Sequence, residues 1–167
     1  MQCRDKQRGL IERRFNDSID SGFIEIIEST SGIYPPMDFA LTKRTYNDSI
    51  ERVIWRTKQV IDFAFIFRYA KDLSTYYLLL EDDVIASYQY ITAIKDFIQT
   101  RPVSSRWVAL RFTGFLGIGL LFKNAQLASL VKFLLIFHQD RPVDMLIDEF
   151  IGLQVRTMKC IIENEHK

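Results

Sequence analysis

The sequence predicts an α/β layered fold in which helices alternate with short apolar strands around a mainly parallel sheet. Of its 167 residues, 48% are hydrophobic and 26% are charged, which is the balance of an ordinary globular domain. Apolar runs of strand length, such as Tyr76–Leu80, alternate with segments of helical periodicity. Because no internal repeat or Gly/Ser-rich linker interrupts the chain, residues 1–167 are predicted to form a single domain.

The first third of the chain is predicted to contain a helix, a strand and a loop. Residues Arg4–Ile19 have the spacing of a basic amphipathic helix, and Phe23–Ile27 has the composition of a short strand. The prolines of Tyr34–Pro36 then predict a loop. The helix is expected to turn four apolar side chains inward: Leu10, Ile11, Phe15 and Ile19.

A long central helix is predicted to begin at a capping box, with Asp48 as the cap and Glu51 reaching back. It runs to about Ala70, with Arg56 on a different face from its apolar stripe. The side chains expected to be buried are Val53, Val60, Ala64 and Phe67.

The second half alternates in the same way. We predict a helix at Tyr88–Thr100, a strand at Arg106–Phe112, a glycine-bearing segment at Thr113–Gly119 and a helix at Asn124–Gln139. Pro142 then lies in the first turn of a last helix. The first of these helices is expected to bury Ile91, Ile94 and Ile98.

Three consecutive acids, Glu81, Asp82 and Asp83, follow the apolar strand Tyr76–Leu80. Unpaired carboxylates are costly inside a buried strand, so the triplet is expected at the strand's carboxyl end. Acids in that position suit a divalent metal and a phosphate-bearing substrate, because open α/β sheets place their ligand crevice there. The alternative is an acid cluster that caps the next helix.

Composition argues against several classes of partner. The net charge of +1 gives no global reason to expect nucleic-acid binding. The longest uncharged apolar stretch, Phe112–Phe122, is too short for a membrane span, and no signal peptide is visible.

Cys3 and Cys160 define no disulfide scaffold, and Asn16 and Asn47 begin N-glycosylation sequons.

Several stretches together resemble the N-acetylglucosaminyltransferase IV family of alpha-1,3-mannosyl-glycoprotein 4-beta-N-acetylglucosaminyltransferases. The most specific is Glu51–Gln59 followed by Tyr77–Asp83. Three others agree in order: Tyr34–Phe39, Trp107–Phe122 and Arg141–Asp148. The resemblance is strongest over residues 21–153.

The resemblance implies a GT-A-like, Rossmann-like nucleotide-diphospho-sugar transferase fold, present as an incomplete catalytic domain. It implies metal-assisted, inverting transfer of N-acetylglucosamine from UDP-GlcNAc, in beta-1,4 linkage, to the alpha-1,3-mannose arm of N-glycans on glycoproteins. The implied cofactor is a divalent metal, Mn²⁺ in such enzymes, and the implied location is the Golgi lumen.

The family pattern also assigns roles to the acids. Asp83 is the implied metal ligand, and Glu81 and Asp82 are expected to face the ribose or metal-bound waters. Asp144 matches the position of a general base, with Asp148 one turn further on the same face. The alternative for this last pair is that both acids complement the positive helix amino terminus.

Arg56, Gly117 and Gly119 are the remaining candidates for contact with the nucleotide sugar. The alternatives are a solvated arginine and a tight turn that needs glycine. The chain departs from the family pattern at Arg111, where an acid is expected, and at Glu149, where a histidine is expected.

Two other functions compete with a transferase. One is a non-catalytic fold relative or fragment that binds a nucleotide sugar or a partner glycosyltransferase. The other is a metal-dependent phosphohydrolase, which needs more acids around a second metal. The intact acid triplet favours the enzyme. Adjacent carboxylates are energetically unfavourable, and a site without a chemical role can lose them freely.

Overall fold

A computed structural model describes residues 2–36, 45–101, 107–114 and 117–165 of the chain. Its contacts define two compact units, Met1–Thr30 and Ser31–Lys167. All the predicted site residues belong to the second unit. The single domain stays a prediction.

The first unit contains two helices, α1 (Gln2–Arg14) and α2 (Asn16–Asp20), where the sequence predicts one. Phe15 separates them because its backbone leaves the helical region, with φ −127° and ψ 28°. The strand predicted at Phe23–Ile27 is wrong, since those residues are irregular and pair with no described strand. Three side chains predicted to face inward are exposed: Leu10, Ile11 and Phe15.

The second unit is built from four α-helices and three strands in its described part. Three short 3₁₀ turns accompany them, at Ser31–Ile33, Thr45–Asn47 and Asn124–Gln126. The elements in chain order are α3 (Ile50–Ala70), β1 (Tyr76–Leu79), α4 (Tyr90–Gln99), β2 (Ala109–Arg111), β3 (Leu120–Lys123), α5 (Leu127–Ile136) and α6 (Val143–Glu165). The predicted helices are confirmed to within a few residues.

The cap of α3 differs from the prediction. Ser49 is the N-cap, and its hydroxyl oxygen accepts a hydrogen bond from the Arg52 N–H at 3.3 Å. Asp48 cannot cap the helix because its carboxylate faces arginines of the first two turns, at 3.2 Å from Arg52 Nε and 3.6 Å from Arg56 Nε. The helix cap therefore lies one residue later than predicted.

The described strands form one sheet in the order β1-β3-β2, and both pairings are antiparallel. The prediction of a mainly parallel sheet is therefore wrong for these strands. For β2 and β3 the physical reason is the short segment 112–119 between them. Parallel neighbours need a crossover of about a dozen residues or more, whereas a short connection reverses the chain.

The two faces of the sheet differ in how completely they are covered. Side chains alternate along each strand, and one face carries Tyr77, Leu79, Leu120 and Phe122, which pack into the core formed with α3, α5 and α6. The other face carries Leu78 and Leu80, which line an open cleft with residues of α4. No residue of α4 is buried, so its predicted inward face is only partly covered.

Candidate functional site

The acid triplet lies where the sequence places it, directly after β1. Glu81, Asp82 and Asp83 are exposed and belong to the irregular segment that leads to α4. That helix begins only at Tyr90, after Gln89 in a left-handed conformation. The triplet therefore does not cap α4, and the capping alternative is wrong.

Gly117 brings the triplet and the last helix together. Its φ of +79° lies in the left-handed region. A Cβ at this position would stand 3.3 Å from the Cβ of Asp144 and 3.6 Å from Oε1 of Glu81. The first turn of α6 and the end of β1 thus meet over a residue that has no side chain, and three predicted site residues converge there.

Gly119 has a different role. A Cβ there would clash with the Thr113 side chain at 2.7 Å, and the φ of Gly119 is +64°. Its N–H donates to the carbonyl of Leu79 at 3.0 Å, and its carbonyl accepts from the Phe112 N–H at 2.9 Å. Gly119 therefore links β3 to both neighbouring strands, which favours the tight-turn alternative for this glycine.

The carboxylates around Gly117 influence one another. Although Glu81 is mostly exposed, its partial desolvation raises the pKa of the carboxyl above its usual value, and the negative charges of Asp83, Asp144 and Asp82 raise that pKa further. These three negative charges make Glu81 harder to ionise. A cation bound among them would relieve this repulsion.

The carboxylates do not form a complete metal cage by themselves. Across the described ranges, no group of three or more His, Cys, Asp or Glu side chains is arranged to hold a metal ion. Mg²⁺-like ions commonly take only one or two protein carboxylates, with water and substrate phosphates completing the shell. A metal ion at these acids would need water or substrate oxygens to complete its coordination shell.

The two acids of α6 have different surroundings. Asp144 lies half-buried in the first turn, at the positive end of the helix dipole. Asp148 is exposed, and its Oδ1 accepts a hydrogen bond from Nη2 of Arg111 at the end of β2. The chain sequence gives no signal for this pairing, because the two residues lie on separate elements far apart along the chain.

Arg56 is not at the acid cluster. Its side chain is 1% exposed, and its two terminal nitrogens donate to the carbonyls of Gln139 and Asp140, each at 3.2 Å. These carbonyls belong to the turn that leads into α6. The contacts leave no guanidinium surface for a diphosphate, so Arg56 positions the start of α6 and is left out of the site.

A large cleft opens beside the triplet. It has a volume of about 1020 Å³ and lies between the second face of the sheet, α4 and the segment after β1. Asp83 and Gly119 are the predicted site residues on its wall. Several other lining residues are not among the site candidates predicted from the sequence: Tyr90, Phe97, Arg111 and Thr113.

Comparison with known proteins gives one consistent result. A family model described as "MGAT4 conserved region" matches residues 7–167. The chain belongs to this family. Alpha-1,3-mannosyl-glycoprotein 4-beta-N-acetylglucosaminyltransferase B of Danio rerio is 39% identical over 145 residues, and the corresponding protein A of Bos taurus is 38% identical over the same length. The human B protein is 37% identical.

These matches confirm the resemblance found in the sequence. Each alignment covers 87% of this chain and 26% of the relative, so the chain spans about a quarter of the length of these relatives. No solved structure matches the chain. Among the helices with described residues, none combines the length and apolar character needed to span a membrane.

Gly117→Ala is expected to destabilise the chain, because alanine must adopt a left-handed conformation, which costs about 1–2 kcal/mol. Its methyl group would also press on Asp144 and Glu81. Urea unfolding followed by circular dichroism measures the change. Gly114→Ala is the matched control, because a Cβ at that position meets nothing within 4 Å. Equal stability of the two variants would contradict the close approach at Gly117.

Glu81→Gln is expected to stabilise the metal-free chain at about pH 7 but not at about pH 4. The pKa of Glu81 is raised from 4.5 in the folded state. The folded chain therefore holds this proton more tightly than the unfolded chain does. The associated stability is full below the unfolded pKa and is lost as pH rises through the folded pKa.

Thermal unfolding in a chelator at both pH values measures this difference. Asp96→Asn, which replaces an exposed acid on α4, is the control and is expected to change stability by less than about 0.5 kcal/mol. A Glu81→Gln variant that is less stable than wild type at neutral pH would show that the acids do not repel one another.

Proposed function

We propose that the chain is part of the catalytic domain of an N-acetylglucosaminyltransferase. The proposed reaction is inverting transfer of N-acetylglucosamine from UDP-GlcNAc, in beta-1,4 linkage, to the alpha-1,3-mannose arm of glycoprotein N-glycans. Support comes from the family and from relatives named as 4-beta-N-acetylglucosaminyltransferases. The observation that carries the proposal is the meeting of Glu81 and Asp144 at Gly117, next to Asp83 on the cleft wall.

A divalent metal, Mn²⁺ by family resemblance, fits the donor set. The acids supply hard oxygen ligands, and their mutual repulsion favours a bound cation. Asp83 is the proposed ligand because it lies both in the triplet and on the cleft wall. When bound, such an ion neutralises the charge that develops on a leaving diphosphate.

The chain's own residues would supply the remaining functions. Asp144 is the proposed general base, because this half-buried residue lies in the first turn of α6 with its Cβ close to Gly117, where Glu81 also lies. Asp82 and Glu81 are proposed to face the ribose or metal-bound waters. Gly117 permits this approach because it leaves no side chain between the elements.

The cleft is the proposed donor pocket. Its volume of about 1020 Å³ lies at the upper end of the ~300–1,000 Å³ typical of small-molecule sites. The walls combine apolar side chains with a few polar groups, as in many pockets that bind a nucleoside. The aromatic rings of Tyr90 and Phe97 give it flat apolar surface.

The GT-A-like fold and the Golgi lumen belong to the same proposal. Membership of the family supports both. The three antiparallel strands, in the order β1-β3-β2, form the part of the sheet that would carry such a site.

A second candidate is a chain that keeps the fold and binds the nucleotide sugar or a partner glycosyltransferase without catalysis. Two observations favour it. The triplet is exposed, and the described residues do not assemble a complete metal cage. Binding without transfer, measured on the same sample, would distinguish this candidate.

Asp83→Asn is expected to abolish metal-dependent donor binding. Calorimetry with UDP-GlcNAc and Mn²⁺ should show affinity for the wild-type chain, and a loss of at least about tenfold, or 1.4 kcal/mol, in the variant. Asp96→Asn removes an exposed acid on α4 that does not line the cleft, and this variant should bind as wild type does.

Two outcomes would contradict this site. One is binding that needs no metal, and the other is an equal loss of affinity in both variants. A folded wild-type chain that binds no donor would contradict the proposed function itself. Transfer to an N-glycan acceptor, measured by mass spectrometry, then separates the enzyme from the binding protein.

A further inference from the structure

An ion pair connects β2 to α6 beside the proposed base. Arg111 Nη2 donates to Asp148 Oδ1, and the two side chains are 31% and 52% exposed. Arg111 is the last residue of β2 and pairs in register with Leu120 of β3. Asp148 lies one helical turn beyond Asp144. The pair therefore attaches α6 to the sheet one turn from the proposed base.

Both contacts to α6 come from the same end of the sheet. Arg111 pairs with Leu120, the first residue of β3, and Gly117 lies three residues earlier in the chain. Asp144 packs against Gly117, while Asp148 binds Arg111. Residues four apart on a helix share one face. Two points on one face of α6 are thus fixed against this end of the sheet.

This part of the helix needs such a restraint. Oε1 of Glu81 and Cβ of Asp144 both lie within 4 Å of the place where a Gly117 Cβ would stand. The negative charge of Asp144 acts on Glu81 and raises its pKa, so the two carboxylates repel each other. The repulsion acts to move the first turn of α6 away from β1, and the ion pair at Arg111 opposes that movement.

We propose that Arg111 is a positioning residue, which holds Asp148 and thereby keeps Asp144 against Gly117 and beside Glu81. This inference rests on the proposed function, because it assigns Arg111 a purpose in placing the general base. It also changes the expected role of Asp148. That carboxylate is a partner of Arg111 and not a second base.

The test compares Arg111→Gln, Asp148→Asn and the double variant in steady-state transfer from UDP-GlcNAc. Each single change is expected to lower kcat by about 10–100-fold, because a displacement of about 1 Å in a reacting group has an effect of this size. The donor KM of Asp148→Asn should stay within about twofold, since Asp148 does not line the proposed donor pocket, whereas Arg111 does. The double variant should be no worse than the more impaired single variant, because both changes remove the Arg111–Asp148 ion pair.

Arg141→Gln is the matched control. It removes a second ion pair on α6, between Arg141 and Glu149 at 3.6 Å, with side chains 48% and 42% exposed. Neither Arg141 nor Glu149 contributes one of the nearest atoms around Gly117, so the loss of this pair should leave kcat unchanged. The exchanged pair Arg111→Asp with Asp148→Arg should recover part of the lost kcat, which a general loss of stability would not allow.

Three results would overturn the inference. The first is a raised donor KM with unchanged kcat in Arg111→Gln, which would make Arg111 a donor contact. The second is additive losses in the double variant. The third is an equal loss in Arg141→Gln.

A wild-type chain that transfers nothing would overturn the proposed function, and amide hydrogen exchange of residues 147–151 would then decide the positioning role. Faster exchange in Arg111→Gln and Asp148→Asn, but not in Arg141→Gln, would support it. Unchanged exchange in the first two variants would reject it.

Discussion

Position 117 has no side chain, and the neighbouring Asp144 and Glu81 occupy the space beside it. The rest of the site depends on this close approach. The acid triplet follows β1 at the end of the sheet, and Asp144 in the first turn of α6 lies at the same end. β3 pairs with β1 on one side and with β2 on the other, so this end of the sheet is organised around one strand. A glycine at the turn before β3 is what lets them meet.

The two sides of the sheet contribute different properties to the site. The side covered by α3, α5 and α6 is well packed. There the ring of Phe67 makes edge-on contacts with the rings of Tyr77 and Phe122, at centroid distances of 5.3 Å and 6.1 Å. Buried Arg56 donates hydrogen bonds to two carbonyls of the turn before α6 and so holds that turn in place. The opposite side is an open cleft beneath α4. The acids lie between these two sides, where the packed core adjoins the cleft that could hold a ligand.

Features set by local sequence were predictable, and features set by distant contacts were not. Helix periodicity located α3 to α6, and the sharp change from apolar strand to acids located Glu81. Strand direction depends on how connections fold back, so the antiparallel sheet was missed. The cap moved from Asp48 to Ser49 because Asp48 is used by two arginines, one of them the buried Arg56. The partner of Arg111 lies on a separate helix, and no spacing rule reaches that far.

Paramagnetic relaxation by Mn²⁺ would locate the metal site, because the broadening of amide signals falls steeply with distance from the ion. The experiment is an NMR titration of the labelled chain with Mn²⁺ in the presence of UDP-GlcNAc. We expect the amides of residues 81–83, 117 and 144 to broaden first and together. Early broadening at a separate acid such as Asp62, with these amides unaffected, would contradict a single metal and donor site at Gly117.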